Sequence, residues 1–340
     1  MTSVDAPPDA PPGAALAKQR RINLGWSVLP NAVMLALIVA FPFIASDYQV
    51  GLMTQFLTFG LLAMSLDLLG DRAGLVSFGH GAWFGLGAYT LALTLERLPG
   101  VGGTYLGFLL AASVGGGFAA LLGSQLFLGR QRVGGVYFGI VTLAVAAILQ
   151  LVVMGWSSFT GGSNGLYGFA TPELAPGLPL TGTQAPYGLA ATVCILIYAG
   201  LKWALRSSLG LSLLAARQNS LRAEGIGIPI GRFQLLVFSA AGAIAGIAGA
   251  LYIPVGFVSP DLFGLTFSTY VIVWMVLGGR GTLIGGFLGA IGLSFLETAL
   301  SGSFVTLWLL MVGVLLIVVV LVWPRGAMGA LGAVTRAIRT

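Results

Sequence analysis

Apolar runs of about 20 residues recur along the whole chain, and their length decides which solvent the fold is built for. A helix rises 1.5 Å per residue, so about 20 residues cross the roughly 30 Å hydrocarbon core of a bilayer. Of the 340 residues, 57% are hydrophobic and only 8% are charged, whereas an ordinary soluble domain carries roughly 25% charged residues. The sequence therefore predicts an all-α, polytopic membrane protein.

Ten transmembrane helices are predicted, and the basic residues indicate their orientation. An even number of crossings puts both termini, and every Lys and Arg except Arg97, on one side of the membrane. Short loops that are rich in Lys and Arg face the cytoplasm, so both termini are predicted to be cytoplasmic. The predicted spans are 28–45, 50–70, 75–95, 105–128, 136–156, 187–205, 233–254, 266–278, 283–300 and 304–322.

The termini are predicted to be tails on either side of one transmembrane domain, residues 27–326. Residues 1–26 begin with a Pro- and Ala-rich stretch that has no apolar periodicity, which is typical of a disordered segment. Residues 327–340 form the second cytoplasmic tail. The basic cluster before the first apolar run resembles a secretory signal, but the run 28–45 is longer than the 7–15 residues of a typical signal core. A retained first helix is predicted.

Two hydrophilic segments interrupt the apolar runs. Segment 157–186 is rich in turn-forming residues and is predicted to be an extracytoplasmic loop, with Gly161, Gly162, Ser163 and Asn164 as its candidate functional residues. Segment 206–232 is predicted to be cytoplasmic and amphipathic, because its apolar residues lie near helical spacing among Arg and Glu. It either rests on lipid headgroups or docks a soluble partner.

The chain lacks the residues for most kinds of catalysis. It has one His and one Cys, no phosphate-binding loop and no His-Glu-x-x-His motif. We therefore expect neither an enzyme nor a bound cofactor or metal. Acidic relays in proton-coupled carriers lie near mid-membrane, whereas Asp67, His80 and Glu297 fall near the ends of predicted spans. An external energy source is expected.

A glycine-rich segment, residues 74–93, is the candidate translocation pathway. Its glycines permit a break in the helix, and broken helices expose backbone groups that bind solutes inside the membrane. The alternative is close helix packing with a locally hydrogen-bonded His80. A second glycine-rich segment, 278–292, has a similar composition and suggests an internal repeat. The pathway candidates are Ser77, Gly79, His80 and Gly81.

Several of these segments together resemble one known family, the M-type permease subunits of branched-chain amino acid ABC importers. The resemblance covers roughly residues 61–326, in order and at similar spacing. Its motifs are SLDLLGDRAGLVSFGHGAWFGLGAYTLAL, GGVYFGIVTLAVA, TGGSNGL, SLLAARQNSLRAEGIGIPIGRFQLLVFSAAGAIAGIAGALY, GGRGTLIGGFLGA and WPRG.

The resemblance implies an ABC importer permease fold, a location in the bacterial inner membrane, and three kinds of partner. These are a homologous second permease, two cytoplasmic ABC ATPases and an extracytoplasmic solute-binding protein. Segment 206–232 would then be the coupling region that docks in a groove of an ATPase. The coupling residues implied are Arg217, Asn219, Arg222, Glu224 and Gly227.

One departure from the family lies at residues 70 and 71. The family commonly has a Gly-Tyr pair where this chain has Gly70-Asp71, followed by Arg72, and the charges suggest a local ion pair. Similar permeases serve urea, short-chain amides and other amino acids, so a urea or amide importer is an alternative. A secondary carrier that works alone is another, and a membrane scaffold without solute flux is a third.

Overall fold

The computed structural model describes residues 35–36, 38–129, 134–303, 313–314 and 326. The chain divides into two compact units, Met1–Ile44 and Ala45–Thr340. In the first unit, residues 35, 36 and 38–44 are helical, and residue 37 lies outside the described residues. All elements below belong to the second unit.

The second unit is mostly helical. A π-helix, Leu69–Ala73, directly follows the helix Asp47–Leu68. Short turns of helix lie at Ser157–Thr160, Gly162–Asn164, Ile253–Val255 and Pro260–Phe263. The longer helices are α1 (Asp47–Leu68), α2 (His80–Arg97), α3 (Val101–Phe127), α4 (Gly135–Gly155), α5 (Gln184–Arg206), α6 (Ser208–Gln218), α7 (Ser220–Gly225), α8 (Ile230–Leu251), α9 (Leu265–Gly278) and α10 (Ile284–Ser303).

Six of the described helices are long and apolar enough to cross a membrane. They are α1 with its π-helix, α3, α4, α5, α8 and α10, while α9 is apolar but only 14 residues long. The predicted span 75–95 begins at His80 instead, because Gly74 adopts a left-handed φ of 69° and residues 74–77 are not helical. The predicted span 28–45 lies only partly within the described residues, and 304–322 lies outside them except for 313 and 314. A total of ten spans stays a prediction.

Helix α1 is the centre of the bundle. In its most apolar stretch 83% of the residues are buried inside the protein, against 22–28% for α3, α4 and α5. Phe56 packs edge-on against Phe295 of α10, with ring centroids 5.1 Å apart. Phe59 stacks on Trp274 of α9 at 4.9 Å. The peripheral helices therefore present apolar faces outward, as lipid or an apolar partner requires.

Glycines bring α8 close to α2 and α3. A Cβ added at Gly87 of α2 would lie 2.0 Å from the carbonyl oxygen of Gly246, and one at Gly115 of α3 would lie 2.5 Å from that of Gly242. Real side chains do not tolerate such distances, so these crossings require glycine. Close approach of backbones is how helices associate in lipid, and the glycine-rich composition serves packing at these two places.

The two ends of the bundle differ in structure. Helix α5 has 23 residues, which is about 35 Å at 1.5 Å per residue. It separates α6 and α7 from residues 156–183, which we call the loop end. Asp47, at the start of α1, accepts a 3.3 Å hydrogen bond from Thr183. Helix α1 therefore runs from the loop end to the α6–α7 end.

The loop end contains two small antiparallel sheets that the all-helical prediction did not include. Strand β1 (Leu166–Tyr167) pairs with β4 (Phe257–Val258), which follows α8. Strand β2 (Glu173–Ala175) pairs with β3 (Leu178–Pro179). Strands of two or three residues carry too little periodicity to be read from sequence.

Replacing Gly87 with Ala should destabilise the protein, whereas the same change at Gly117 of α3 should not. A Cβ at Gly117 has nothing within 4 Å, so both variants gain the same helix propensity and only Gly87→Ala forces two helices apart. We expect a loss of about 1–3 kcal/mol, the usual cost of overpacking. Thermal unfolding of the detergent-purified protein measures this, and equal midpoints for the two variants would show that the crossing is not tight.

Candidate functional site

The polar segment between α5 and α8 folds into two short helices because a cap separates them. Asn219 has an extended backbone, and its Oδ1 accepts a 3.0 Å hydrogen bond from the backbone N–H of Arg222. This is the ordinary N-cap role of asparagine. After α7 the chain turns at Gly227, whose φ of 86° favours glycine. Asn219 and Gly227 thus shape the segment.

The five predicted coupling residues lie on this one segment. Arg217 exposes 48% of its side chain, and Asn219, Arg222, Glu224 and Gly227 are exposed. Buried residues help to hold the segment to the bundle, with Leu213 5% exposed and Ala223 2% exposed. Large apolar side chains also face outward here, namely Leu209, Leu211, Leu214 and Ile226.

Arg217 has a partner inside the protein. Its Nη1 donates to Oδ1 of Asp71, which lies in the π-helix at the end of α1. Nε of Arg72 lies 3.0 Å from Oδ2 of the same carboxylate. The Asp71 side chain is only 8% exposed, so the carboxylate lies between two guanidinium groups. Ion pairs of this kind are stronger than exposed ones because water screens them less.

A second carboxylate holds the junction between α9 and α10. Asp67 is fully buried, and its two oxygens accept hydrogen bonds from the backbone N–H of Gly281 at 2.7 Å and of Leu283 at 2.8 Å. Leu283 has a φ of 58°, in the left-handed region that residues with side chains rarely adopt. The two hydrogen bonds stabilise this strained turn, residues 279–283, which we call the junction turn.

Sequence reasoning found part of this arrangement. A local ion pair at Asp71 was expected, and Arg72 provides one, but the contact with Arg217 was not foreseen because 146 residues separate the two side chains. From the sequence alone, Asp67 is only a costly charge near the end of a predicted span. The signal that could have identified its role is the need of a buried carboxylate for hydrogen-bond donors.

The four pathway candidates cluster at the start of α2. Nε2 of His80 lies 2.8 Å from Oγ of Ser65 on α1, while Nδ1 of His80 and Oγ of Ser77 have no hydrogen-bond partner within the part of the chain that is described. Both side chains are fully buried. A Cβ on Gly79 would lie 2.0 Å from the Thr142 carbonyl oxygen, and one on Gly81 would lie 2.8 Å from Phe267. The geometry here is that of close packing, and a pathway role stays a prediction.

The backbone break before α2 is satisfied by side chains of other helices. The N–H of Phe78 donates to Oγ1 of Thr142 on α4 at 3.1 Å. The N–H of Gly81 donates to Oγ of Ser268 on α9 at 3.2 Å. The helix break that the glycines permit is therefore present, and two backbone amides beside it donate to hydroxyl groups.

At the loop end, the candidates Gly161, Gly162, Ser163 and Asn164 form a tight turn. Gly161 and Gly162 have φ values of 75° and 61°, and Ser163 and Asn164 are exposed. An open cavity of about 430 Å³ lies beside this turn. It is lined by Leu93, Glu96, Arg97, Ser157, Ser158, Phe159, Gly161 and Leu166.

The remaining ionisable side chains also bear on the requirements of a metal site. Among the described residues, no group of three or more His, Cys, Asp or Glu side chains could hold a metal ion. Cys194 is buried, and its Sγ donates to the carbonyl oxygen of Leu57 at 3.6 Å. Glu297 of α10 has one carboxyl oxygen without a hydrogen-bond partner among the residues described.

A family model described as the permease component of branched-chain amino acid transport systems matches residues 48–320. This range includes all the candidate functional residues described above. The chain belongs to this permease family. The resemblance that the motifs predicted is confirmed, and the chain is an integral membrane protein with several spanning helices.

Two relatives carry names from branched-chain amino acid transport. The permease LivM of Escherichia coli, named as part of a high-affinity branched-chain amino acid transport system, is 29% identical over 86% of this permease and 73% of LivM. The probable branched-chain amino acid permease LivH of Methanocaldococcus jannaschii is 27% identical over 72% of this chain and 79% of its own.

A third relative has a different named solute. The autoinducer 2 import system permease LsrC of an Enterobacter species is 29% identical over 47% of this permease and 47% of its own length. No solved structure matches the chain. The named relatives are transport permeases, and their solutes differ in chemistry.

Replacing Asp67 with Asn should destabilise the permease more than replacing Asp47 with Asn. The amide keeps one acceptor oxygen, so the backbone N–H of Gly281 or Leu283 loses its partner, which costs about 1–3 kcal/mol for a buried donor. Asp47 lies exposed at the other end of the same helix. Thermal unfolding midpoints in detergent report the difference, and an unchanged midpoint for Asp67→Asn would refute the role of Asp67 in the junction turn.

Proposed function

We propose that this permease is a membrane subunit of an ATP-driven importer that moves branched-chain or related amino acids across the bacterial inner membrane. The observation that carries the proposal is the α6–α7 segment, which lies between two spanning helices and exposes both polar and apolar side chains. Family membership supports the class of solute. The orientation with both termini in the cytoplasm is supported by the distribution of Lys and Arg.

The α6–α7 segment has the features of a docking element. Leu211 is 67% exposed and Ile226 is 77% exposed, next to the charged and exposed Arg222 and Glu224. Apolar side chains that lie on a short helix fill a groove, and flanking charges select the partner. We assign this surface to a cytoplasmic ABC ATPase, two copies of which would serve the complete transporter.

Two further partners complete the proposed importer. The outward apolar faces of α3, α4 and α5 suit a homologous second permease, with lipid covering the remainder. The loop end would meet an extracytoplasmic binding protein, and Gly161–Asn164 with the cavity beside Arg97 is the surface proposed for that contact. Nothing in this arrangement requires the permease itself to hydrolyse ATP.

The proposed cycle is alternating access. Closure of the ATPase dimer upon ATP binding would pull on α6 and α7 and shift the population from an inward-open to an outward-open state. A helix seated in a groove transmits such rigid-body motion. Ser77, Gly79, His80 and Gly81 would line the route when α2 moves away from α4 and α9. Nδ1 of His80, which has no hydrogen-bond partner among the described residues, would be available for a solute in that state.

Reconstitution tests the proposal. The permease is purified with a second permease, ATPases and a binding protein from the same organism, placed in proteoliposomes, and assayed for uptake of radiolabelled leucine. We expect uptake that needs both ATP and the binding protein. Uptake by this chain alone would support the secondary carrier, and absence of uptake with every partner would support the scaffold.

Competition with unlabelled solutes sorts the substrate classes. Excess isoleucine and valine should suppress leucine uptake, because their aliphatic side chains are similar in shape. Urea and acetamide should not. The reverse pattern would replace the amino acid importer with a urea or amide importer.

Replacing Arg222 or Glu224 with Ala should lower uptake about tenfold, the factor that corresponds to roughly 1.4 kcal/mol of lost docking free energy. ATP hydrolysis should continue without driving transport. Lys202→Ala is the matched control, because Lys202 is a charged residue of α5 that lies outside segment 206–232. Unchanged uptake in both docking variants would remove their assigned role.

A further inference from the structure

We propose that Asp71 and Asp67 are positioning residues that carry the motion of α6 into the helical bundle. The proposal rests on the coupling role of α6–α7 given above. It assigns the link between the docking surface and the spanning helices to the Asp71–Arg217 ion pair, and the next link to the hydrogen bonds of Asp67. Neither carboxylate belongs to the docking surface itself.

The first link joins α6 to α1. Arg217 lies in the last turn of α6 and Asp71 in the π-helix that ends α1. The guanidinium is half-exposed while the carboxylate is almost fully buried, so the pair connects the surface to the interior. An Arg–carboxylate pair is stabilised by charge attraction and by hydrogen bonds that have a fixed direction. A displacement of α6 must therefore move Asp71 or break the pair.

The second link joins α1 to the junction turn. Asp67 precedes Asp71 by four residues, so the two carboxylates lie on the same face of the helix. A Cβ placed on Gly281 would lie 2.6 Å from Oδ1 of Asp71, and the N–H of the same glycine donates to Asp67. Both carboxylates therefore contact one residue of the turn.

The third link runs from the junction turn along α9 to the middle of the bundle. Helix α9 ends at Gly278, directly before the turn. Its Trp274 stacks on Phe59 in the centre of α1, and its Ser268 holds the first turn of α2. Movement of the turn thus reaches the helix start where the pathway candidates lie.

The left-handed backbone of Leu283 makes the conformation of the turn depend on its surroundings. A non-glycine residue at positive φ is strained and persists only where its surroundings fix it. Asp67 supplies that constraint through the Leu283 N–H. If α1 shifts relative to the turn, these hydrogen bonds break together, and the turn is free to adopt a second conformation.

The test is a double-mutant cycle on the complete transporter in proteoliposomes. Asp71→Asn, Arg217→Gln and the double variant are compared with the native protein for complex assembly, ATP hydrolysis and leucine uptake. The quantity that decides is uptake per ATP hydrolysed. A purely structural role would change the yield of the complex without changing this ratio.

We expect each single variant to assemble and to lower uptake per ATP about tenfold, within the range typical of coupling between sites. The double variant should be no worse than either single variant, because both changes break one link. Arg217→Lys keeps the charge and should retain most of the coupling. A double variant with the product of the two single effects would overturn the proposal.

Arg72→Gln is the matched control. It removes a charge from the same carboxylate, but Arg72 is the neighbour of Asp71 in sequence and connects nothing to α6. Its uptake per ATP should stay within about twofold of native, a change well below typical coupling. Equal losses for Arg72→Gln and Arg217→Gln would show that charge balance at Asp71 matters and the link to α6 does not.

The controls also separate this inference from the proposed function. Native uptake that does not need ATP would overturn both. Native ATP-dependent uptake combined with normal uptake per ATP in Asp71→Asn and Arg217→Gln would overturn only the inference.

Discussion

Backbone amides inside a bilayer need partners within the protein, because the hydrocarbon supplies none. Two of the helix breaks in the described part of the chain lie beside α1, one just before α2 and one at the junction turn. Side chains accept hydrogen bonds from backbone amides at both places. Thr142 and Ser268 accept from the first break, and Asp67 accepts from the second. These hydrogen bonds join α1, α2, α4, α9 and α10 into one body, with α1 buried at its centre.

This arrangement explains how a polar surface segment relates to an apolar bundle. The α6–α7 segment is anchored by small or apolar residues and by the ion pair of Arg217 with Asp71. The carboxylate of Asp67 connects the end of α1 to the junction turn, and the carboxylate of Asp71 connects it to α6. A motion applied to α6 therefore has a defined route inward, whereas the rest of the bundle is held by glycine crossings and aromatic contacts that resist deformation.

The spanning helices could be predicted because each contains an apolar run as long as a bilayer is thick. The start of α2 could not be placed, since its position depends on hydroxyl groups 64 and 187 residues away in sequence. The five coupling candidates come from the family resemblance, their side of the segment is exposed, and a coupling role for them stays a prediction. The partner of Arg217 was missed for the same reason as the start of α2, because contacts between distant segments leave no local pattern. The strained Leu283 has no sequence signal, because leucine is rare at positive φ.

Accessibility of the α6–α7 segment to a thiol reagent tests the account most directly. The chain has a single cysteine, so a Cys194→Ala background allows Gln218→Cys and Ser163→Cys to be labelled separately with a membrane-impermeant maleimide. The account predicts labelling of Gln218→Cys only in inside-out vesicles, reduced when the ATPase is bound, and labelling of Ser163→Cys only from the outside. Labelling of Gln218→Cys in right-side-out vesicles would contradict it.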